Sequence, residues 1–509
     1  MQSLLILQLF MNASTSLRFF TALIAGASLP LAYAPFDQFW IAPLSFAALM
    51  LVWRGTKPKE AFLSGFVFGI ASFLGGIHWV YISINEFGQV HGLIAAFLTL
   101  ALGSGRAFFV ALTGWMAARW FSTDGPPAWL GIFPALWVLT EWWRGWFLSG
   151  FGWLSAGYSQ TDSWLMGYAA LGGVHFMSWA VLLTAGSMVT LCAGSTRARS
   201  FAGALILILW AGAFAAGRTS WTEARDSSLT VALVQGAVPQ DQKWLSSQFL
   251  PTLDLYSDLM RQSEGSDLVV WPEASIPSLY GQVADYLAEI EVQARRQGSD
   301  VMLGILSSDT ESGAVQNTVV ALGEPVQWYV KRHLVPYGEY FPVPGFVRNW
   351  LRLMNLPYSD VVPGEAGQPP LEVAGETVAV TICYEDVFGA EQLHYLPDAT
   401  LLVNVSNDAW FGDSIAPPQH LQIARVRAAE VGRYLLRATN TGISGIIDPR
   451  GDVVAFSPSF EPHVLRGVVW GFTGSTPYAR WGNYAVVTAM LVLLLSQSLT
   501  TKFTIRPAT

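Results

Sequence analysis

Val378-Ala379-Val380-Thr381-Ile382-Cys383-Tyr384-Glu385-Asp386 is an apolar run, rich in β-branched residues, that stops at a cysteine, an aromatic and two acids. That composition predicts a strand whose last residue is aimed rigidly from a sheet edge. A lone cysteine is most often buried packing, so the company this one keeps decides the reading. Asp267-Leu268-Val269-Val270 leads into Trp271-Pro272-Glu273, and Tyr329-Val330 leads into Lys331. Three strand-like runs thus deliver a carboxylate, an ammonium and a thiol.

Outward from this stretch the hydrophobic period alternates between strand and helix. Strands are expected over 229–235, 267–271, 301–306, 317–322, 326–331, 377–383, 400–406, 445–448, 453–456 and 464–470. Helices fit 248–264, 283–297 and 418–438, the last with Leu421, Ala424, Ala428, Val431 and Leu435 on one face. Strands alternating with covering helices predict a layered α/β sandwich.

The rest of the chain is of another kind. Of 509 residues 52% are hydrophobic, only 13% are charged and 22 are Trp, the composition of a membrane protein. Uncharged apolar runs recur at 19–36, 38–53, 61–84, 87–118 (broken only by Arg106), 126–140, 163–196 and 200–217, and again at 481–501. Each is near or above the roughly 20 residues that cross a bilayer as a helix. The division expected is therefore 1–217 with about seven spans, a polar domain over 218–480, and a closing span and tail over 481–509. Arg18, Arg54, Lys57, Lys59, Arg119, Arg197, Arg199, Lys502 and Arg506 fall on one side of eight spans, which marks that side as cytoplasmic and puts the polar domain outside.

Several classes are excluded. A net charge of -8 without a basic patch or a Walker-type glycine loop gives no reason to expect nucleic acid. No Cys/His cluster has metal-ligand spacing, so no metal is expected. Cys192 lies in an apolar span and Cys383 in the polar domain, so both are expected to be free thiols.

A cysteine near its ordinary pKa of about 8.5 is mostly protonated at neutral pH and needs help to act as a nucleophile. Glu273 can serve as general base and Lys331 as the donor to an oxyanion. Taken singly, Glu273 reads as an acid at a helix start after Pro272, and Lys331 as a solvated strand end. Together with Cys383 the catalytic reading leads. His333, two residues from Lys331, is the second choice of partner for the thiol.

Glu273, Lys331 and Cys383, in that order and each at a strand end, resemble the Glu-Lys-Cys triad of the nitrilase superfamily. Val234-Gln235-Gly236, Lys331-Arg332-His333-Leu334-Val335-Pro336-Tyr337-Gly338-Glu339, Cys383-Tyr384-Glu385 and Asn407-Asp408-Ala409-Trp410-Phe411-Gly412 sharpen this to the apolipoprotein N-acyltransferase family, a membrane-embedded branch. The resemblance implies a four-layer αββα sandwich joined to a multi-span α-helical membrane domain. It implies transfer of an acyl chain from a membrane phospholipid, through a thioester on Cys383, to the α-amine of a diacylglyceryl apolipoprotein, with no cofactor. It implies a multi-pass protein of the bacterial inner membrane with its catalytic domain in the periplasm. By resemblance Glu339, Tyr384, Glu385 and Trp244 support the reaction or bind substrate. The alternatives are a membrane-tethered carbon-nitrogen hydrolase that passes its acyl group to water, and a non-enzymatic lipoprotein-binding or transport protein.

Two further segments invite readings. Trp137, Glu141, Trp142 and Arg144 lie at the outer end of a span, where the acid and base either pair with each other or meet lipid headgroups. Val343 to Tyr358 is apolar and bracketed by Pro344 and Pro357. Phe346, Trp350 and Leu353 there read as a lid at the membrane surface, with a core helix as the alternative.

Overall fold

Backbone amides in a long apolar stretch must be satisfied inside the stretch itself, and a helix does so. The computed structural model describes residues 14–309, 313–340 and 361–504, with side chains as far as residue 498. Phe346, Trp350 and Leu353 lie outside the described residues. The chain divides into two units, one of Met1–Ser220, Asp413–Gln422 and Arg480–Thr509, the other of Trp221–Gly412 and Ile423–Ala479.

The first unit is helical. Among the described residues six helices are long and apolar enough to cross a membrane: Thr15–Ala32, Pro58–Ile77, Gly92–Trp120, Trp164–Ala193, Thr196–Gly217 and Pro477–Ser498. Two of the eight expected spans are shorter as regular helix, Ile41–Trp53 and Phe133–Arg144, the second entered through a π turn at Ala128–Ile132. Small residues let helices close on one another: a Cβ at Gly69 would sit 2.7 Å from Ala107 Cα, so only hydrogen fits between Pro58–Ile77 and Gly92–Trp120. Buried polar groups tie the helices to the segment after Arg144. Glu141 accepts from Trp137 Nε1 at 3.2 Å, from the Ala156 amide at 2.8 Å and from Ser178 Oγ. Arg144 donates to the Trp153 carbonyl at 2.7 Å and to Ser155 Oγ at 3.2 Å, and lies over the Phe73 ring. Both side chains therefore have protein partners.

The second unit holds two sheets. Strands β1 (Thr222–Gln235), β2 (Leu268–Val270), β3 (Ile276–Leu279), β4 (Asp300–Ser308), β5 (Val315–Leu322), β6 (Gln327–Val330) and β13 (His463–Gly474) form a seven-stranded sheet ordered β13-β1-β2-β4-β5-β6, with β3 also on β4. Strands β7 (Leu371–Val373), β8 (Glu376–Ile382), β9 (Leu401–Ser406), β10 (Leu435–Thr439), β11 (Gly445–Ile447) and β12 (Val453–Phe456) form the other, ordered β12-β11-β10-β9-β8-β7. β1, β2 and β4 are parallel neighbours and so need helical crossovers, supplied by Ser246–Gln262 and Ala284–Gln297. Tyr256, Leu259 and Met260 from the first helix and Leu287 and Ile290 from the second pack on Val234, Val269, Trp271 and Leu303. Gln235 sews the sheets together, its Oε1 accepting from Ser444 Oγ at 2.7 Å and Ser457 Oγ at 2.8 Å. An α/β sandwich unit and a multi-span helical unit are the two parts expected from the sequence.

One element corrects the sequence reading. The helix expected over 418–438 is Ala416–Val431, and residues 435–439 are strand β10 in the second sheet. Gly432 makes the break, with φ +65° and room for no side chain: a Cβ there would meet Thr222 Oγ1 at 2.8 Å. A left-handed glycine just past the last turn is the usual helix stop.

Candidate active site

Each of the three side chains lies within three residues of a strand end. Glu273 comes three residues after β2, Lys331 one after β6 and Cys383 one after β8. Glu273 depends on a close backbone approach, since a Cβ at Gly304 in β4 would lie 2.6 Å from Glu273 Cα. Lys331 is fixed at its backbone, where its amide donates to the Asn317 carbonyl at 2.8 Å. Cys383 opens a turn, Cys383–Val387, in a left-handed conformation with φ 51°. A non-glycine residue so held costs roughly 1–3 kcal/mol and needs restraint from its surroundings.

That restraint is visible. Glu385, two residues on, accepts from the Ile382 amide at 2.7 Å, the Arg332 amide at 2.7 Å and the His333 amide at 3.0 Å, and Tyr329 Oη donates to both its oxygens at 3.0 Å. It thereby braces the cysteine turn against the chain just beyond Lys331. Burial raises its pKa, and the His333, Ile382 and Arg332 amides and the Lys331 charge oppose the rise. Buried Arg437 on β10 binds Asp386 at 3.2 Å, Asp408 at 2.9 Å and Asn404 Oδ1 at 2.7 Å, while Asn404 Nδ2 donates to the Cys383 carbonyl at 3.4 Å.

The charged centre is compact. Lys331 Nζ lies 3.2 Å from Glu273 Oε1 and 2.9 Å from Glu339 Oε1, and the lysine is 1% exposed. Burial opposes its charge, but Glu273 and Glu339 more than compensate, so its pKa is raised and it stays an ammonium. Asn317 Nδ2 spans both acids, 2.7 Å from Glu273 Oε1 and 3.1 Å from Glu339 Oε1. Glu339 Oε2 accepts from the Val335 amide at 2.8 Å. Among the described residues nothing hydrogen-bonds Glu273 Oε2, and the third N–H of Lys331 has no acceptor. Burial pushes the Cys383 thiol well up; Glu273 adds to the rise and Lys331 opposes it. The Cys383 thiol is thus buried within electrostatic reach of Glu273, Lys331, Asp408 and Glu339.

Residues 25–187 match the family model for the apolipoprotein N-acyltransferase N-terminal domain, and residues 230–469 match that for carbon-nitrogen hydrolases. An apolipoprotein N-acyltransferase of Methylococcus capsulatus is 42% identical over 92% of this chain and 93% of its own. One of Nitrosomonas europaea is 40% identical over 95% of this chain and 97% of its own. The chain belongs to the apolipoprotein N-acyltransferase family. A nitrilase-superfamily amidase from Nesterenkonia AN1 is 20% identical, covering 52% of this chain and 98% of that one with a TM-score of 0.37.

As a member of that family the protein is an acyltransferase. The structure brings Glu273, Lys331, Glu339 and Glu385 of the sequence-derived set together with Cys383. Tyr384 is half-buried against Phe388 and His333, and Trp244 is 52% exposed. His333 Nδ1 sits 3.2 Å from Glu391, with its ring stacked on Phe388. Four residues of the site escaped the sequence reading: Asn317, Asn404, Arg437 and Lys243. Lys243 is buried with Nζ 3.5 Å from the Glu273 carbonyl, and burial lowers its pKa to about 8 against the pull of the Glu273 charge. Its one sequence signal is its place beside Trp244.

Glu385→Gln tests the brace. A glutamine offers one acceptor oxygen where Glu385 offers two, so its NH₂ must face an amide N–H or the Tyr329 hydroxyl. The variant is expected to lose about 1–3 kcal/mol of stability and to acylate Cys383 about 10²-fold more slowly. Melting and single-turnover acylation measured on the same preparation check both; wild-type values in each would remove the brace.

Proposed function

We propose that the protein transfers an acyl chain from a membrane phospholipid, through a thioester on Cys383, to the α-amine of the diacylglyceryl-cysteine that begins an apolipoprotein. This is supported by one oxygen of Glu273 and one N–H of Lys331 that have no hydrogen-bond partner among the described residues, within electrostatic reach of a buried thiol. Sγ attacks the ester carbonyl while Glu273 Oε2 takes the thiol proton, and Lys331 donates to the oxyanion. Collapse breaks the ester C–O bond, Glu273 returns the proton to the departing oxygen, and a lysophospholipid leaves. The amine then attacks the thioester, its proton passes by Glu273 to the departing sulfur, and an amide forms. Glu339, with both oxygens engaged, holds the lysine and does not serve as the base.

The reading also places the catalytic unit in the periplasm. It is supported by basic side chains gathered at one end of the helical unit: Arg18 donates to the Val52 and Arg54 carbonyls, and Arg54 pairs with Asp124 at 2.7 Å. In a Cys192→Ala background, a cysteine at Gly55 should react with an impermeant thiol reagent only from the cytoplasm, and one at Phe460 only from the periplasm. Labelling of both from one face would overturn the orientation. The function itself is tested by supplying purified protein with a labelled phospholipid and a diacylglyceryl-cysteine peptide. Label on the peptide amine supports transfer, and label released only as free fatty acid supports the hydrolase alternative.

A further inference from the structure

We propose that Asn317 is a positioning residue of the acyl-transfer site, pinning Glu273 Oε1 and Glu339 Oε1 on Lys331 so that Glu273 Oε2 alone faces the thiol proton. The inference rests on the roles given above to Cys383, Glu273 and Lys331. Carboxylates only accept, so the nitrogen end of the amide must face both acids. The distances of 2.7 and 3.1 Å agree with that orientation. The buried Oδ1 has no hydrogen-bond partner among the described residues, so the amide is oriented by its two N–H bonds alone. The backbone is equally committed. Asn317 lies on β5 between β4 and β6, opposite Leu306, and its carbonyl accepts the Lys331 amide. One residue thus aligns the lysine through its main chain and both acids through its side chain. Without its N–H groups Glu339 is still held by Lys331 and the Val335 amide, but Glu273 keeps the Lys331 ammonium alone, so its carboxylate turns about its last bond and the oxygen presented to the thiol is no longer fixed.

The test is single-turnover acylation of Cys383 in the full-length protein, in phosphatidylethanolamine vesicles, with adduct followed by mass. Asn317→Asp keeps the shape but replaces a donor by an acceptor among two acids. It is expected to acylate about 10³-fold more slowly than wild type at neutral pH. The deficit should shrink at mildly acidic pH, where the new carboxyl takes a proton and donates again. Asn317→Ala should lose about 10²-fold, and Asn317→Ser, which keeps one donor, should fall between alanine and wild type. The lipid concentration at half-maximal rate should not move, because Asn317 acts through Glu273 and Glu339. An Asn317→Asp rate within about threefold of wild type, or a deficit independent of pH, overturns the inference. If that variant does not fold, equal rates for the serine and alanine variants overturn it instead. A wild-type protein that gains no acyl group on Cys383 overturns the acyl-transfer reading and this one with it; normal wild-type acylation beside an unimpaired aspartate variant overturns this one alone.

Discussion

Cys383→Ala is expected to abolish both half-reactions, with acyl transfer reduced by at least about 10⁴-fold. Alanine keeps the Cβ and the left-handed backbone, and the bonds that hold the turn come from Glu385, Asn404 and Arg437. The fold should therefore stand, and the loss can be assigned to the sulfur. Cys383→Ser should retain at most a trace. A buried thiol is already pushed well above its ordinary range here, and a hydroxyl starts far higher, so the same Glu273 cannot remove its proton at a useful rate. Measurement of lysophospholipid release and of amide product in each variant checks both halves. Wild-type turnover in the alanine protein would end the proposed mechanism.

Lys331→Met has the next largest expected effect, and it falls on stability as well as rate. The ammonium separates two carboxylates, Glu273 and Glu339, and shares both with the Asn317 amide. Removing one partner of a buried ion pair costs about 3–5 kcal/mol, because the remaining charge is left uncompensated. The acylation rate should fall by about 10³-fold or more as the oxyanion donor disappears. The pKa of Lys331 is raised in the fold, so its contribution is constant below the ordinary lysine range and is lost only as pH rises through the higher folded value. The stability gap between variant and wild type should thus be flat from neutral to moderately alkaline pH. Thermal melts over that pH range check this; a variant as stable as wild type at neutral pH would remove the buried charge cluster.

How far the sequence disclosed this arrangement depended on whether a signal was local. The strand before Cys383 was legible because Val378 to Ile382 is uninterrupted β-type sequence and the chain changes character at the cysteine. The strands before Glu273 and Lys331 read the same way, and family order joined the three. Strand β10 was hidden because Leu435 continues the helical spacing of Ala428 and Val431; the stop signal lies in the single residue Gly432. Strands β3 and β7 were missed because four and three residues are too few to show a period. Asn317 looks like any polar residue in a strand, and its partners lie 44 and 22 positions away, so nothing nearby announces it. Arg437 is one cation in an apolar run, and its partners Asp386 and Asp408 are likewise distant. Glu339 and Glu385 came from the resemblance; why a carboxylate is wanted at each became clear only from the amides and the ammonium each one receives.

A covalent acyl-enzyme on Cys383 would show in the mass of the peptide that contains this cysteine. Purified protein would be exposed to a phospholipid of a single defined acyl chain and digested, once without acceptor and once after a chase with diacylglyceryl-cysteine peptide. This peptide is expected to become heavier by one acyl group, neutral hydroxylamine to remove the group as it does a thioester, and the chase to move it to the acceptor amine. Amide product formed while Cys383 stays unmodified at every time point, or an acyl group found on another side chain and discharged from there, would contradict an acyl-enzyme on Cys383.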